Sequence, residues 1–221
     1  MFIVDKKPKS ITAEAYRTLR TNIQYSSFDK EVRVIVITSS EAGEGKSTTA
    51  GNLAISFSQA QKKTIMIDCD LRKPSLHKKF KISNMIGLSD LLKGRESLKE
   101  AVHQYNNYLD ILTSGKVPPN PSEMLGSHSM ENLIERLKEE YDIIIIDSAP
   151  LQAVTDAQIL SRKADGTILV VRAEKTKRDS VMQAKELLQK VDANILGVVL
   201  NGVENIRKKY YYYYGTEEKD K

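Results

Sequence analysis

The sequence contains no tryptophan and a single cysteine, Cys69, among its 221 residues. One cysteine excludes a disulfide framework and any zinc or iron–sulfur site built from several cysteines. The longest uninterrupted apolar runs, such as residues 143–146, are far too short to cross a bilayer. Residues 1–10 carry charges without the apolar stretch of a secretory signal. We therefore expect neither a disulfide-rich secreted domain nor a membrane-spanning one.

The chain has an ordinary globular composition, with 40% hydrophobic and 29% charged residues. Its length suits one large domain or two small ones and is ample for a proper core. Lysine and arginine number 34 against 29 acidic residues, which gives a net charge of +5. Because the basic residues are scattered, this charge does not demand a nucleic-acid partner, and we expect none. Ten residues are tyrosine, and five of them are consecutive at 210–214.

Short runs rich in valine and isoleucine alternate with helix-like segments, which predicts an α/β fold with a mostly parallel central sheet flanked by helices. The runs are nearly continuous in apolar residues, as expected when helices cover both faces. The predicted strands are 32–38, 64–68, 109–113, 143–147, 166–171 and 195–201. The predicted helices are 10–28, 46–61, 129–140, 156–162 and 177–191, with further short helices within 77–107.

Residues 39–48 follow the first predicted strand and lead directly into a helix. Their sequence, SSEAGEGKST, is close to the phosphate loop Gly-x4-Gly-Lys-Ser/Thr, with Ser40 in place of the first glycine. Glycines let backbone amides approach phosphate oxygens, the lysine would neutralise phosphate charge, and the serine hydroxyl would ligate Mg²⁺. The predicted nucleotide-binding residues are Gly43, Glu44, Gly45, Lys46, Ser47 and Thr48. The alternative is a glycine-rich turn with an incidental lysine.

Aspartates follow two other predicted strands at the edge where ligands bind in open α/β sheets. Asp68 ends the second predicted strand and is followed by Asp70 and Arg72, and Asp147 follows four isoleucines at the end of another strand. A carboxylate buried at such a position is costly unless it serves a cation. The alternative for Asp68 or Asp70 is capping of the next helix.

Together these motifs resemble those of the bacterial tyrosine kinases (BY-kinases), the P-loop kinases of capsule and exopolysaccharide assembly. The pattern Asp68-x-Asp70-x-Arg72 resembles the family's second nucleotide motif, and Asp147-x-x-Pro150 resembles its third. The resemblance extends to the segments 118–123 and 154–157, to Glu14-x-x-Arg17-x-x-Arg20 and to the tyrosine cluster, and so covers almost the whole chain. The chain departs from the family pattern at Ala42, where proline is usual, and at 148–149, where the family commonly has Thr-Pro.

The resemblance implies an ATP-dependent protein-tyrosine kinase that uses Mg²⁺. Lys46 would hold the phosphates, while Mg²⁺ would be bound by Ser47, Asp70 and Asp147. Asp68 would accept the tyrosine proton, although Asp68 and Asp70 remain interchangeable at this stage. The family also implies that Asn201 meets the adenine edge, the alternative being a plain strand-ending asparagine. Arg72 either binds phosphate or an acidic segment, or forms a simple surface ion pair.

The tyrosine cluster Tyr210, Tyr211, Tyr212, Tyr213 and Tyr214 resembles the family's autophosphorylation site, the alternative being a sticky surface strand. The resemblance implies a homo-oligomeric ring, an octamer, in which one subunit's tail enters its neighbour's site. Glu14, Arg17 and Arg20 would form the contacts between subunits; the alternative is pairing within their own helix. The other five tyrosines are predicted to be packing residues.

We therefore divide the chain into an N-terminal segment with the oligomerisation helix (1–30), a P-loop kinase domain (31–203) and a flexible tail (204–221). The family implies a separate transmembrane activator, the cytoplasmic tail of a polysaccharide co-polymerase, and a tyrosine phosphatase as partners. It also implies a cytoplasmic location at the inner face of the membrane. Two rivals remain: a weakly active scaffold, and a deviant-Walker partitioning ATPase. The latter class has a second lysine where this chain has Glu41.

Overall fold

The computed structural model of the protein describes residues 2–26 and 31–203. The five candidate phosphoacceptor tyrosines, the rest of the tail and the end of the predicted helix 10–28 lie outside the described residues.

Seven strands of the described chain form one sheet, in the order β3-β4-β2-β5-β1-β6-β7. All neighbouring strands run parallel except β3, which is antiparallel to β4. The mostly parallel sheet predicted from the sequence is therefore confirmed. The strands are β1 (Val34–Ser39), β2 (Thr64–Asp68), β3 (Val102–Asn106), β4 (Leu109–Leu112), β5 (Ile143–Asp147), β6 (Gly166–Arg172) and β7 (Ile195–Asn201).

Ten helices are present in the described segments, and the longer ones agree with the sequence prediction to within a few residues. They are α1 (Ile3–Lys6), α2 (Ile11–Gln24), α3 (Lys46–Gln59), α4 (Leu76–Phe80), α5 (Leu88–Leu92), α6 (Leu98–Ala101), α7 (Pro121–Gly126), α8 (His128–Glu140), α9 (Asp156–Arg162) and α10 (Arg178–Gln189). Helix α3 ends earlier than predicted because the chain turns into the left-handed region at Gln61, with φ of 59°. No helix in the described part of the chain combines the length and apolar content needed to cross a membrane.

The central strands are apolar on both faces because helices cover both faces. On β1, Ile35 and Ile37 belong to a cluster with Leu53 and Phe57 of α3, whereas Val34 belongs to a second cluster that includes the apolar face of α8. Successive side chains of a strand point to opposite faces, so an uninterrupted apolar run fills both clusters. This packing fixes β1, β2 and β5 side by side, and with them the loops at their carboxyl ends.

Strand β3 is a correction to the sequence prediction, which gave only short helices between residues 77 and 107. Helices α4, α5 and α6 are present, but Val102–Asn106 pairs with β4 as an antiparallel edge strand. None of its side chains is fully buried. An edge strand of this kind lacks the apolar pattern on which the prediction depended.

The N-terminal segment packs on the core through α1 as well as α2. The ring of Phe2 lies directly over Gly51 of α3, where an added Cβ would stand 2.1 Å from a ring carbon. The Val4 amide donates to Asn52 Oδ1 at 3.1 Å, and the Phe2 and Phe80 ring centroids are 4.6 Å apart. Any side chain at position 51 would therefore displace the N-terminal segment.

The tyrosines predicted to be packing residues divide into buried and exposed ones. Tyr16 and Tyr141 are buried in the two large clusters, as predicted. Tyr105 and Tyr108 are half-exposed, and Tyr25 is 78% exposed. The prediction was therefore wrong for Tyr25, which comes after the end of α2 beyond the reach of the core.

Candidate active site

The phosphate loop connects β1 to α3, and its conformation depends on two glycines. Gly43 and Gly45 have φ values of 84° and 99°, in the left-handed region that favours glycine. A Cβ at position 45 would also lie 1.9 Å from Asn201 Nδ2. The carboxylate of Glu44 is turned inward, where it accepts from the Glu41 amide at 2.9 Å and from the Thr176 hydroxyl. These contacts fix the loop from both sides and leave the first turn of α3 at the carboxyl edge of the sheet.

Lys46 is the point at which the predicted site residues converge. Its Nζ lies 3.0 Å from Asp70 Oδ2, 3.4 Å from Ser47 Oγ and 3.6 Å from Asp147 Oδ1. Burial disfavours the charged ammonium, but attraction to Asp147 and Asp70 outweighs it and raises the pKa of Lys46. The lysine therefore stays positively charged among carboxylates that come from the ends of two different strands.

Asp147 ends β5 as a fully buried carboxylate. Neither of its oxygens has a hydrogen-bond partner among the described residues. Burial raises the pKa of Asp147, and the charge of Lys46 opposes that rise. Buried oxygens without partners are costly, and a hard cation that prefers oxygen ligands would satisfy them.

The donor set fits Mg²⁺. Asp147, Asp70 and the Ser47 hydroxyl all meet Lys46, and all are oxygen donors. Within the described ranges, no three acidic, histidine or cysteine side chains form a ready-made metal cage. Proteins commonly hold Mg²⁺ with one or two carboxylates while substrate phosphates complete the coordination.

Asp68 ends β2, is fully buried, and differs from Asp147 in its hydrogen bonds. Its Oδ2 accepts from the amides of Ser75 and Leu76 at 3.0 and 2.9 Å, at the start of α4. Its Oδ1 accepts from the Asp70 amide at 3.3 Å. Burial, reinforced by the charge of Asp147, raises the pKa of Asp68 to about 7 despite these amides. Asp68 therefore caps the start of α4, as the helix-capping alternative predicted. The same carboxylate also lies close to Lys46 and Asp147.

Arg72 forms an ion pair with Asp156, the first residue of α9. Its Nε lies 3.0 Å from Asp156 Oδ2, and its Nη2 donates to Ser122 Oγ at 2.9 Å. The side chain of Arg72 is 39% exposed, whereas that of Asp156 is fully buried. The ion-pair alternative for Arg72 is therefore present in the structure, but its carboxylate partner is buried rather than on the surface.

Asn201 lies against the phosphate loop. Its Nδ2 donates to the Glu44 carbonyl at 2.8 Å, which ties the end of β7 to the loop before α3. The structure therefore places this predicted nucleotide residue at the site through a contact that sequence reasoning did not foresee.

Several residues at the site were missed. Lys79 of α4 donates to Thr48 Oγ1 at 3.1 Å. Thr176 was not predicted either, and Ser122 and Asp156 lie in the segments 118–123 and 154–157 that share the family resemblance but were given no role at the site. Their partners are distant in sequence, so no local spacing signals these contacts.

The predicted oligomerisation residues are engaged within this chain. Arg17 pairs with Glu14 at 2.7 Å and also donates to the Pro8 carbonyl at 2.7 Å. Arg20 donates to the Ser56 carbonyl of α3 at 2.6 Å. Pairing within the helix is thus present for Glu14 and Arg17, and Arg20 fastens α2 to the core.

Comparison with known proteins gives concordant results. A family model described as an AAA domain matches residues 32–197. Tyrosine-protein kinase YwqD of Bacillus subtilis (strain 168) is 45% identical over 213 residues, which cover 96% of this chain and 90% of the relative. Among solved structures, the chimerical protein CapA2B2 has a TM-score of 0.87 at 42% identity, over 90% of this chain and 88% of that one. The kinase domain of Escherichia coli tyrosine kinase ETK has a TM-score of 0.89 at 33% identity, over 98% of this chain and 85% of that one.

These similarities extend over nearly the full length of the chain and agree with the resemblance drawn from its motifs. The fold is that of a P-loop nucleotide-binding domain, as the phosphate loop between β1 and α3 predicts. The chain belongs to the family of bacterial tyrosine-protein kinases.

Proposed function

We propose that this protein transfers the γ-phosphoryl group of ATP to its own tyrosines 210–214. The observation that supports this most directly is the convergence of Lys46, Asp70 and Asp147 beside Asp68 at the ends of parallel strands. Phosphoryl transfer needs little covalent chemistry from the protein and depends on positioning, charge neutralisation and a proton acceptor.

The phosphate loop performs the positioning. Backbone amides from Gly43 to Thr48, together with the start of α3, would cradle the nucleotide phosphates. The Lys46 ammonium, now shared between Asp70 and Asp147, would neutralise charge on the β- and γ-phosphates. Asn201, bound to the Glu44 carbonyl, would meet the adenine edge next to the loop.

Ser47, Asp70 and Asp147 would hold Mg²⁺. When bound, the ion neutralises charge that develops on the transferring phosphoryl group and orients its oxygens. The two oxygens of Asp147 that have no hydrogen-bond partner within residues 2–26 and 31–203 support this assignment.

Asp68 would accept the proton of the attacking tyrosine. Burial raises the pKa of Asp68 to about 7, whereas the pKa of a free tyrosine is about 10. A base with a pKa near the working pH combines a substantial deprotonated population with useful basicity. The amides of Ser75 and Leu76 hold one oxygen in place and so fix the direction of the carboxylate.

The acceptor tyrosines would reach the site of a neighbouring copy in a homo-oligomeric ring, which the family resemblance suggests is an octamer. Glu14, Arg17 and Arg20 would contribute to the contacts between copies. Each phosphotyrosine carries a charge of roughly −1.5 to −2, so several in succession would be repelled by the aspartates of the site. Full phosphorylation would therefore release the tail and loosen the ring.

The biological setting that we propose is regulation of capsular or exopolysaccharide synthesis and export. A separate membrane-bound activator would hold the protein at the inner face of the cell membrane through its cytoplasmic tail, and a tyrosine phosphatase would reverse the modification. The proposal of these partners rests on the family resemblance drawn from the sequence motifs. We propose no nucleic-acid partner.

A deviant-Walker partitioning ATPase is a weaker candidate. That class carries a lysine at the position of Glu41, whose carboxylate here accepts from the Ser180 hydroxyl at 2.6 Å. A weakly active scaffold would share the whole fold, and only catalysis distinguishes it from a kinase.

The proposal is tested by incubating the purified protein with ATP and Mg²⁺, blotting for phosphotyrosine and mapping the modified residues by mass spectrometry. Wild type should be labelled within 210–214, and Lys46→Met should abolish the label. Lys78→Met, which changes an exposed lysine of α4, is the matched control and should be labelled like wild type. Undiminished labelling of Lys46→Met, or an unlabelled wild type that nevertheless binds ATP, would contradict the proposal.

A further inference from the structure

Three segments that are distant in sequence meet at one side of the active site. Arg72 comes from the loop after β2, Ser122 from the first turn of α7, and Asp156 from the first turn of α9. Arg72 Nε donates to Asp156 Oδ2 at 3.0 Å and Nη2 to Oδ1 at 3.3 Å, while Nη2 also donates to Ser122 Oγ at 2.9 Å. The Ser122 hydroxyl in turn donates to Asp156 Oδ1 at 2.7 Å. We call these three residues the Arg72 clamp.

The clamp holds the guanidinium in one orientation. Asp156 is fully buried, and a buried carboxylate needs a charged partner with good hydrogen-bond geometry. A guanidinium that contacts both oxygens of a carboxylate is restricted in its plane as well as its position. The Ser122 hydroxyl closes the triangle, so Arg72 is fixed by two residues that lie outside the nucleotide motifs.

Part of the guanidinium remains available. The side chain of Arg72 is 39% exposed, and its Nη1 makes no hydrogen bond within the described parts of the chain. Arg72 also lies two residues after Asp70, whose carboxylate contacts Lys46. A fixed and partly exposed guanidinium at this position suits an anionic group on an incoming peptide. The segment after the candidate acceptor tyrosines carries Glu217 and Glu218.

We propose that Ser122 and Asp156 are positioning residues, which hold Arg72 so that it binds the acidic segment next to the acceptor tyrosine. The clamp therefore contributes to peptide specificity. This inference rests on the proposed function, because it takes a tyrosine of this sequence as the acceptor.

The test uses the full chain as enzyme and a synthetic peptide of residues 204–221 as acceptor, with the phosphorylated peptide resolved from the protein by mass. Ser122→Ala removes one hydroxyl from a partly exposed position and should raise KM for the peptide about three- to tenfold, the effect of losing one hydrogen bond to a charged network. Its kcat and its affinity for ATP should stay unchanged. Ser129→Ala, an exposed serine of the neighbouring α8, should behave like wild type.

Two further arms show whether Ser122 acts through Arg72. In an Arg72→Ala background, Ser122→Ala should have no additional effect on KM, because coupled residues are not additive. A peptide with Glu217→Gln and Glu218→Gln should have a raised KM with wild type and should no longer distinguish wild type from Ser122→Ala.

The outcomes separate the two proposals. A wild type that labels neither its own tyrosines nor the peptide refutes the proposed kinase function. A wild type that labels its tyrosines, together with a Ser122→Ala variant whose peptide kinetics match wild type or whose effect adds to that of Arg72→Ala, overturns the clamp.

Discussion

Asp68 and Asp147 end two neighbouring parallel strands and are paired in register, yet their surroundings are opposite in kind. Both carboxylates are fully buried. Asp68 accepts from three backbone amides, whereas Asp147 has no hydrogen-bond partner in the described chain. Two carboxylates that look equivalent in the sequence therefore differ in their hydrogen bonds, in the way that the proposed roles of a base and a metal ligand require.

The difference arises from the loops at the carboxyl ends of the two strands. After β2 the chain turns back so that the first amides of α4 point at Asp68. After β5 the Ser148 amide donates to Ile37 at 3.1 Å, and the Leu151 amide donates to Ser39 at 2.9 Å. Pro150, between them, has no amide hydrogen to offer. The amides after Asp147 thus hold the loop to β1, and the carboxylate is left for a cation.

The strongest challenge to this comparison is Asp147→Asn. Loss of the negative charge should weaken metal binding and reduce the rate of phosphotyrosine formation by roughly 10³-fold, equivalent to several kcal/mol of lost charge stabilisation. Asparagine is nearly isosteric, and it removes a buried charge, so the fold should be retained. Rates measured across a titration of Mg²⁺, with the fold checked by circular dichroism, test this. A variant as active as wild type at low Mg²⁺ would remove Asp147 from the metal site.

Asp68→Asn should produce a different defect. Without a proton acceptor, transfer to tyrosine should fall by at least about 10²-fold, the usual contribution of a general base. Affinity for ATP and Mg²⁺ should change little, because Asp68 is not expected to ligate the metal. Single-turnover labelling and equilibrium binding of a fluorescent ATP analogue distinguish the two effects. If this variant keeps full transfer, the base must be sought at Asp70.

The sequence predicted the position of both aspartates, but it could not predict the contacts that distinguish them, for physical reasons. The apolar runs before Asp68 and Asp147 predicted two buried strands with carboxylates at their ends, since periodicity and burial are local signals. Which aspartate would be capped was not predictable, because Ser75 and Leu76 reach Asp68 only after the chain has turned. The partners of Arg72, 50 and 84 residues away in sequence, have no local signal at all. The edge strand β3 was not predicted because it buries few apolar side chains and so shows no apolar pattern in the sequence.

Removal of Mg²⁺ should have different effects on the thermal stability of the Asp68→Asn and Asp147→Asn variants. Saturating Mg²⁺ and nucleotide should raise the Tm of wild type and Asp68→Asn by roughly 5–10 °C, as expected for a ligand present at about a hundred times its Kd. Addition of EDTA should abolish the metal-dependent part of this shift. The Tm of Asp147→Asn should show no metal-dependent increase, even before EDTA is added. An equal metal-dependent shift in both variants would show that the two carboxylates are not specialised.

The smallest effect concerns pH and stability, and its sign depends on Asp68. The pKa of Asp68 is about 7 in the folded protein, against about 3.9 for an unperturbed aspartate, so between these values the folded state binds a proton that the unfolded state releases. The stability contributed by this proton is complete below the lower value and is lost as pH rises through the higher one. Between pH 5.5 and 8 the free energy of unfolding should therefore fall by roughly 2 kcal/mol more in wild type than in Asp68→Asn. Urea unfolding of both proteins across pH 5.5–8 measures this difference. Parallel curves would mean that Asp68 is ionised throughout, and the base would then owe its reactivity to its geometry alone.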